Sequence, residues 1–316
     1  MGRKKRGQPV HGWVVVDKPE GITSTQVVGI VRRVFDAQKA GHAGTLDPMA
    51  TGVLAVALGE ATKTVPYAMD SEKTYRFTAS WGEGRDSDDA EGAVTETSPV
   101  RPDRAAIETT IPRLVGEIEQ VPPAYSAIKV AGERAYDLAR EGETVTLQPR
   151  RVEIHAACLL EIPDADHAVF EMRCGKGAYV RAWVRDLARL LGTVGHVSQL
   201  RRLSVGGFSA ERAIPLETLK GFMHSPAAFE HLLPLSTALD GIPALAVTGP
   251  DVVRLKSGNP VLMRAPLFAR IADSVPDGDL EGLTVYCSSV EGDPVALTAL
   301  EAGELRPFRV FNLTTG

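Results

Sequence analysis

The densest cluster of residues able to do chemistry is Gly41-His42-Ala43-Gly44-Thr45-Leu46-Asp47-Pro48-Met49-Ala50-Thr51-Gly52. Glycines let a backbone approach a ligand closely and take up positive φ, and Pro48 restricts the residue before it, so Asp47 is presented rigidly. A carboxylate with an ordinary pKa of about 3.9 is ionised at neutral pH and can serve as a nucleophile or a base. An isolated Asp-Pro is more often a turn whose carboxylate bonds nearby backbone, so this loop alone decides nothing. A second cluster, Lys176-Gly177-Ala178-Tyr179-Val180-Arg181-Ala182-Trp183-Val184-Arg185, joins a glycine turn, a tyrosine and a helix start. Arg181, Arg185 and Arg189 recur at helical spacing, a basic stripe beside an apolar one of Trp183, Leu187 and Leu190. Tyrosine next to arginine suits a stacked base with a phosphate or carboxylate beside it, although an ordinary amphipathic helix carries the same pattern.

Competing chemistries fit poorly. Gly59-Glu60-Ala61-Thr62-Lys63-Thr64 lacks the glycine directly before the lysine that a phosphate-binding loop needs. An EF-hand register starting at Asp86 puts Glu91 where glycine is required and Thr97 at the last ligand position. The histidines show no metal-site spacing, and Cys158, Cys174 and Cys287 form no C-x-x-C pair, so neither a metal hydrolase, a zinc site nor a disulfide framework is expected.

The elements that must position these loops can be read from periodicity. Gly12 to Asp17 reads as a short buried strand stopped by Lys18-Pro19-Glu20-Gly21. A helix capped by Thr23 or Ser24 follows, with Val27, Val28, Val31, Val34 and Phe35 on one side. Gly41 to Gly52 is then a loop delivering the chain to strand Val53–Leu58. Tyr75, Phe77, Ala79 and Trp81 alternate with polar residues, the pattern of a half-buried strand that ends in the acidic loop Arg85 to Gly92. Further strands are expected over Tyr125–Val130, Val152–Ile162, His167–Arg173 and Val197–Val205. Helices are expected over Arg134–Arg140 and from Tyr179 to Leu191, the latter ended by Gly192. Ala210 to about Leu239 is helical in flavour, and from Ile242 short apolar runs separated by Gly, Pro and Asp predict a compact β-rich appendix.

Composition bounds the rest. A chain of 316 residues, 44% hydrophobic, holds a catalytic domain and a smaller second unit. It has no apolar run of membrane-spanning length and no signal core, so a cytoplasmic protein without membrane association is expected. The net charge of −5 argues against a nucleic-acid binder. Arg173 to Arg202, however, carries seven Lys or Arg against Asp186 alone, 7 − 1 = +6, and a basic tail precedes Gly7. A charge run is often only a solvated face; as a phosphate-binding surface it makes affinity fall with salt.

Taken together, several separated stretches resemble the TruB family of tRNA pseudouridine synthases. They are Asp17 to Ser24, the Gly41 to Gly52 loop, Lys73-Thr74-Tyr75, Asp86 to Gly92, Pro122 to Lys129, Cys174 to Arg181 and Leu200-Arg201-Arg202-Leu203, in family order over the first two thirds of the chain. The resemblance implies an α/β (α+β) fold: a catalytic domain over residues 11–240 around a mainly antiparallel mixed sheet, after a basic tail 1–10. A PUA-like RNA-binding module follows over 241–316. It further implies isomerisation of uridine-55 in the tRNA T loop, with tRNA (the T arm) as partner, the chain a monomer, and neither metal nor cofactor. Asp47 corresponds to the essential aspartate and His42 to the histidine that packs into the T loop. Tyr75 is the residue stacking on the flipped base and Arg181 the partner of the aspartate. Tyr179 and Leu200 line the uracil pocket, and Lys18 buttresses the catalytic loop. Ala43, Gly175, Ala178, Arg85 and Ser87 depart from the family pattern beside the site. Two rivals remain: a tRNA-binding or folding protein whose catalysis is incidental, and a hydrolase that uses Asp47 to release uracil. The hydrolase lacks an obvious second catalytic carboxylate in the Gly41 to Gly52 loop.

Overall fold

The computed structural model describes residues 7–126, 128–130, 133–134, 147–223, 225–264, 271 and 280–313. In chain order its strands are β1 (Gly12–Lys18), β2 (Ala40–His42), β3 (Thr51–Leu58), β4 (Lys73–Trp81), β5 (Glu83–Arg85), β6 (Val94–Thr97), β7 (Gly116–Gln120), β8 (Lys129–Val130), β9 (Glu133–Arg134), β10 (Arg150–Asp164), β11 (His167–Cys174), β12 (Gly195–Val205), β13 (Phe208–Ser209) and β14 (Ile214–Pro215). The C-terminal part adds β15 (Ala244–Val247), β16 (Val261–Leu262), β17 (Thr284–Ser289), β18 (Pro294–Glu301) and β19 (Glu304–Val310). The α-helices are α1 (Ser24–Val34), α2 (Val65–Asp70), α3 (Arg104–Thr110), α4 (Val180–Leu190), α5 (Leu216–Gly221) and α6 (Gly249–Lys256).

One large sheet runs in the order β14-β1-β3-β12-β4-β11-β10-β7, with β2 added to β3 and β13 to β12. It is mixed and mainly antiparallel: only the β1–β14 and β12–β3 ladders are parallel. Its centre is covered on both faces, which is why β1 and β3 read as unbroken apolar runs and not as alternating ones. Val14, Val16, Leu54 and Val56 enter one core with Val27 and Val31 of α1 and Trp183 and Leu187 of α4. Trp13, Val15, Val53 and Ala55 enter another. β4 carries Phe77, which stacks on Phe170 at a centroid distance of 5.5 Å and meets Trp183 edge-on at 5.7 Å.

The C-terminal strands form a separate five-stranded sheet, β15-β17-β18-β19-β16, around its own core of Leu245, Val285, Val295 and Leu305. Tyr286, Leu297 and Phe311 from this unit join Trp13 and Val53 in the second core. A polar latch adds to this contact. Lys63 Nζ, 2.6 Å from Glu60, donates to the Val310 carbonyl at 2.7 Å, and the Asn312 amide donates to Glu60 at 2.7 Å.

Most expected elements are present, with differences that have local causes. Helix α1 begins after Thr23, whose hydroxyl and Gln26 form a capping box. The Gly41–Gly52 loop is shorter than expected, because Gly41 and His42 pair with β3 and Gly52 is part of it. Over 210–239 the chain forms only α5 and short 3-10 turns around β14, its prolines breaking any longer helix. Among the described residues of Tyr125–Val130, only Lys129–Val130 form a strand. Residues 135–140 of the expected helix and the basic tail before Gly7 lie outside the described residues.

Two glycines make opposite predictions. Gly52 has φ +96°, and a Cβ there meets the Arg202 carbonyl oxygen at 2.2 Å; a Cβ on Gly29, inside α1, meets nothing within 4 Å. Urea unfolding of Gly52→Ala is expected to show a loss of at least about 2 kcal/mol, and Gly29→Ala a gain of about 0.5–1 kcal/mol.

Candidate active site

The loop between β2 and β3 is fixed from two sides around Asp47. The Ser24 hydroxyl, at the start of α1, accepts from the Leu46 amide at 2.9 Å and donates to the Leu46 carbonyl at 3.0 Å. Lys18, fully buried at the end of β1, donates from Nζ to the carbonyls of Pro19 at 2.9 Å and Pro48 at 3.0 Å, and the Gly21 amide donates to Pro48 as well. Leu46, Met49 and Ala50, beside Asp47 in the chain, are buried in the first core, and the Ala50 amide closes a turn onto the Asp47 carbonyl. Asp47 therefore sits on a short ledge with its neighbours anchored and 34% of its side chain exposed.

Its charge partner comes from α4, which is distant in sequence and packs in the same core as α1. Arg181, in the first turn of α4 and 4% exposed, places Nη2 3.0 Å from Asp47 Oδ2 and Nη1 3.2 Å from Asp89 Oδ2. The remaining donor capacity goes to the carbonyls of Ser87 at 2.7 Å and Tyr125 at 2.8 Å. The acidic loop between β5 and β6 is shaped to supply these acceptors. Asp88 takes φ +59°, the Ser87 hydroxyl donates to Asp89 Oδ1 at 2.6 Å, and Arg85 donates to the Ala90 and Gly92 carbonyls. Ala90 and Asp88 are tied to Val197 of β12 by backbone bonds. Burial pushes the Asp47 carboxyl above the usual carboxylate range, Arg181 opposes that shift, and Asp89 adds to it.

The other residues expected at the site fall into two groups. Tyr75, Tyr179 and Lys18 lie close enough to feel the charge of Asp47. Burial raises both phenols and lowers the Lys18 ammonium to about 8, with Asp47 working against that lowering. Tyr179 caps α4 and is pinned by the buried Gln120 at the end of β7, which accepts from its amide at 2.8 Å and donates to its carbonyl at 3.1 Å. His42 and Leu200 make no hydrogen bond or ion pair with Asp47 among the described residues. His42, half-buried at the end of β2, is kept neutral near pH 7 by burial first and then by the charge of Arg202. Leu200 is buried on β12 opposite Phe77, its carbonyl 3.4 Å from the Thr51 hydroxyl.

The basic stripe on α4 is not the free surface its spacing suggests. Arg181 is buried between carboxylates, and Arg185 pairs with Asp88 at 2.8 Å and Asp186 at 3.0 Å. Arg201 makes a two-point pair with Asp17, and Arg202 is buried. The acidic loop, far off in sequence, neutralises the stripe from outside the helix. Among the described residues no group of three His, Cys, Asp or Glu is placed to hold a metal ion.

Comparison with known proteins places this geometry. Residues 32–180 match the family described as TruB family pseudouridylate synthase (N terminal domain), and 181–240 match the tRNA pseudouridylate synthase B C-terminal domain. The chain is 53% identical over 315 residues to a Caulobacter vibrioides protein named tRNA pseudouridine synthase B, covering 99% of this chain and all of the relative. The chain belongs to the TruB family of pseudouridylate synthases. A second TruB relative, from Bradyrhizobium diazoefficiens and of the same name, is 55% identical over 310 residues, covering 96% of this chain and 87% of its own. The fold resembles a structure described as an H/ACA RNP bound to a substrate RNA containing 2'-deoxyuridine (TM-score 0.73, 21% identity, covering 99% and 92% of the two chains). It also resembles an archaeal box H/ACA sRNP Nop10-Cbf5 complex (TM-score 0.70, 21% identity, covering 99% and 93%). At that identity the likeness is one of fold.

Within this TruB chain, sequence reasoning passed over Asp89, Gln120 and Ser24 as site residues. Asp89 and Ser24 lie in stretches that resemble the family, but the residue types alone suggest no more than a failed calcium loop for the first and a helix cap for the second. Gln120 had no signal beyond lying just before Val121-Pro122-Pro123.

Burial of Asp47 has a measurable consequence. With its folded pKa raised, the stability it contributes is fully present below the ordinary carboxylate pKa and is lost as pH rises through the elevated value. Asp47→Asn, which never ionises, is therefore expected to melt at or above the wild-type Tm near neutral pH, with the difference shrinking toward about pH 4. Calorimetry across that range checks it. A wild type that melts higher at neutral pH means that Arg181 outweighs burial.

Proposed function

We propose that this chain isomerises uridine-55 in the T loop of tRNA to pseudouridine, acting as a cytoplasmic monomer, with Asp47 as the catalytic carboxylate. The observation that carries the reading is a carboxylate partly open to the surface, on an immobilised loop, held 3.0 Å from a buried guanidinium. The names of the full-length relatives support the substrate class. The reaction breaks the N1–C1′ bond, turns the retained uracil and joins its C5 to C1′. The C5 proton is removed and a proton is placed on N1. Nothing is oxidised or hydrolysed, so side chains suffice. Asp47 acts in its ionised form, as nucleophile at C1′ or base at C2′, and Arg181 keeps that form accessible against desolvation.

Taking a uridine out of a folded loop costs a few kcal/mol. Tyr75 and Tyr179, both close to Asp47, offset part of this by stacking at roughly 1–3 kcal/mol per base. His42 packs into the space the base leaves and Leu200 closes the apolar side of the pocket. Lys18 buttresses the loop through the Pro48 carbonyl. The sheet over 241–316 serves as a PUA-like RNA-binding module; its separate core supports treating it as a unit.

The deciding experiment incubates purified protein with unmodified tRNA in EDTA and maps pseudouridine by position, for wild type and Asp47→Asn. Product at the T-loop uridine is expected from wild type only, with tRNA affinity of the variant within about threefold. Loss of about 10⁴-fold or more in rate is expected for removal of a reacting group. tRNA binding without product from either protein supports the folding-protein reading, and free uracil the hydrolase.

A further inference from the structure

We infer that Arg202 is a positioning residue of this site, which locks the Tyr75 hydroxyl and the Asp47 loop into one rigid unit. The inference rests on the proposed reaction. Arg202 lies on β12 directly opposite Tyr75 on β4, at the end of the regular antiparallel stretch from Gln199 and just before a bulge, so the two side chains share one face of the sheet. It is among the largest fully buried side chains of the molecule, and no carboxylate pairs with it among the described residues. Burying a guanidinium without a counterion is costly unless its N–H groups are all bonded. Here the acceptors are carbonyls of the catalytic loop and its flanks: Nε donates to Val53 at 2.8 Å, Nη2 to Gly44 at 3.1 Å, and Nη1 reaches Thr45 at 3.5 Å. The Tyr75 phenol, opposite it across the β12–β4 pair, lies close enough to feel the charge of the same guanidinium.

The geometry has a chemical consequence. In the inferred unit the phenol oxygen accepts from Arg202 on its inner side and keeps its own proton for the outer side, where the target base sits in the proposed complex. Because the same planar fork holds Gly44 and Val53, the hydroxyl is fixed relative to Asp47 through one rigid group, not through two mobile loops. The loop is shaped around this arginine. Gly44 has φ +90° with Arg202 Nη1 3.4 Å from a notional Cβ, and Gly52 packs on the Arg202 backbone. A lysine cannot replace it, because one ammonium does not span Val53, Gly44 and Tyr75.

The test compares wild type, Arg202→Met, Arg202→Lys, Tyr75→Phe and the two Arg202/Tyr75 double variants. It uses single-turnover assays on unmodified tRNA and NMR of 13Cζ-tyrosine-labelled free protein. Arg202→Met is expected to slow the single turnover about 100-fold, the effect of a small misplacement at a reacting centre, with tRNA affinity within about threefold. Arg202→Lys is expected to recover less than a tenth of the loss. Each double variant is expected to be no slower than about threefold below its slower parent, since both changes break one unit. The Tyr75 resonance, identified by its absence in Tyr75→Phe, is expected to move in Arg202→Met and in Arg202→Lys. Additive losses, an unmoved Tyr75 resonance, or an unimpaired Arg202→Met each overturn the inference, and Arg202→Lys carries the same readouts where the methionine variant does not fold. A wild type that makes no pseudouridine overturns the proposed function, and the NMR arm still decides whether Arg202 holds Tyr75.

Discussion

The guanidinium of Arg181, shared between Asp47 and Asp89, is the interaction on which the arrangement of the site depends. A carboxylate that acts on a buried sugar carbon must be desolvated yet charged, and these demands conflict because burial favours the neutral acid. A single buried ion pair resolves the conflict too well, holding the carboxylate in a bond it must leave. Here the cation is divided. Two carboxylates and two carbonyls surround one fork, so Asp47 receives only part of its neutralisation and keeps an elevated pKa. Such a cluster is stable only with complete hydrogen bonding, since breaking a buried pair leaves an uncompensated charge. The acidic loop, with its left-handed Asp88 and its backbone ties to β12, is the part of the fold that meets that requirement.

The Asp47 loop shows a related economy of means. Glycines give it the positive φ values it needs but would leave it mobile if nothing opposed them. Three buried polar side chains from different elements oppose them: Ser24 at the start of α1, Lys18 at the end of β1 and Arg202 within β12. Each bonds main-chain groups of the loop, so the loop's backbone polar atoms are satisfied by the scaffold without a regular ladder. The strand-helix opening of the chain therefore serves as a brace for a loop that follows it closely in sequence.

What could be read from the sequence divides along the range of the interactions. β1, β3 and α1 were legible because apolar runs and a capping box are local signals. Asp47 stood out through its proline and glycines and the Tyr179–Arg181 pair through its place at a helix start, while the individual roles expected of Arg181, Tyr75 and Tyr179 rest on family resemblance. Asp89, Gln120 and Arg202 were not legible as site residues, since their importance lies in partners that only the folded sheet brings near. The basic stripe of α4 is the instructive case. Helical periodicity states correctly that Arg181 and Arg185 share a face, but it carries no information about what packs against that face. The facing loop is the most acidic in the chain, and Arg181 and Arg185 are internal while Arg189 is exposed.

That reassignment bears on how an acidic chain handles RNA. A guanidinium already bonded to carboxylates has no counterions to release, so it contributes nothing to the salt-dependent part of nucleic-acid binding. Of the cations between Arg173 and Arg202, Arg181, Arg185 and Arg202 are engaged inside the fold and Arg201 pairs with Asp17 while partly exposed, leaving Arg173, Lys176 and Arg189 exposed. Even these have acidic neighbours, Glu72, Asp70 and Asp186 respectively. The segment with the strongest positive charge in the sequence thus uses most of that charge in ion pairs and hydrogen bonds within the protein, one of them to Asp47. In the proposed complex, recognition of the T arm leans on shape and on stacking against Tyr75 and Tyr179 more than on phosphate contacts from this segment. This is consistent with a net charge of −5, which a purely electrostatic RNA binder could not tolerate.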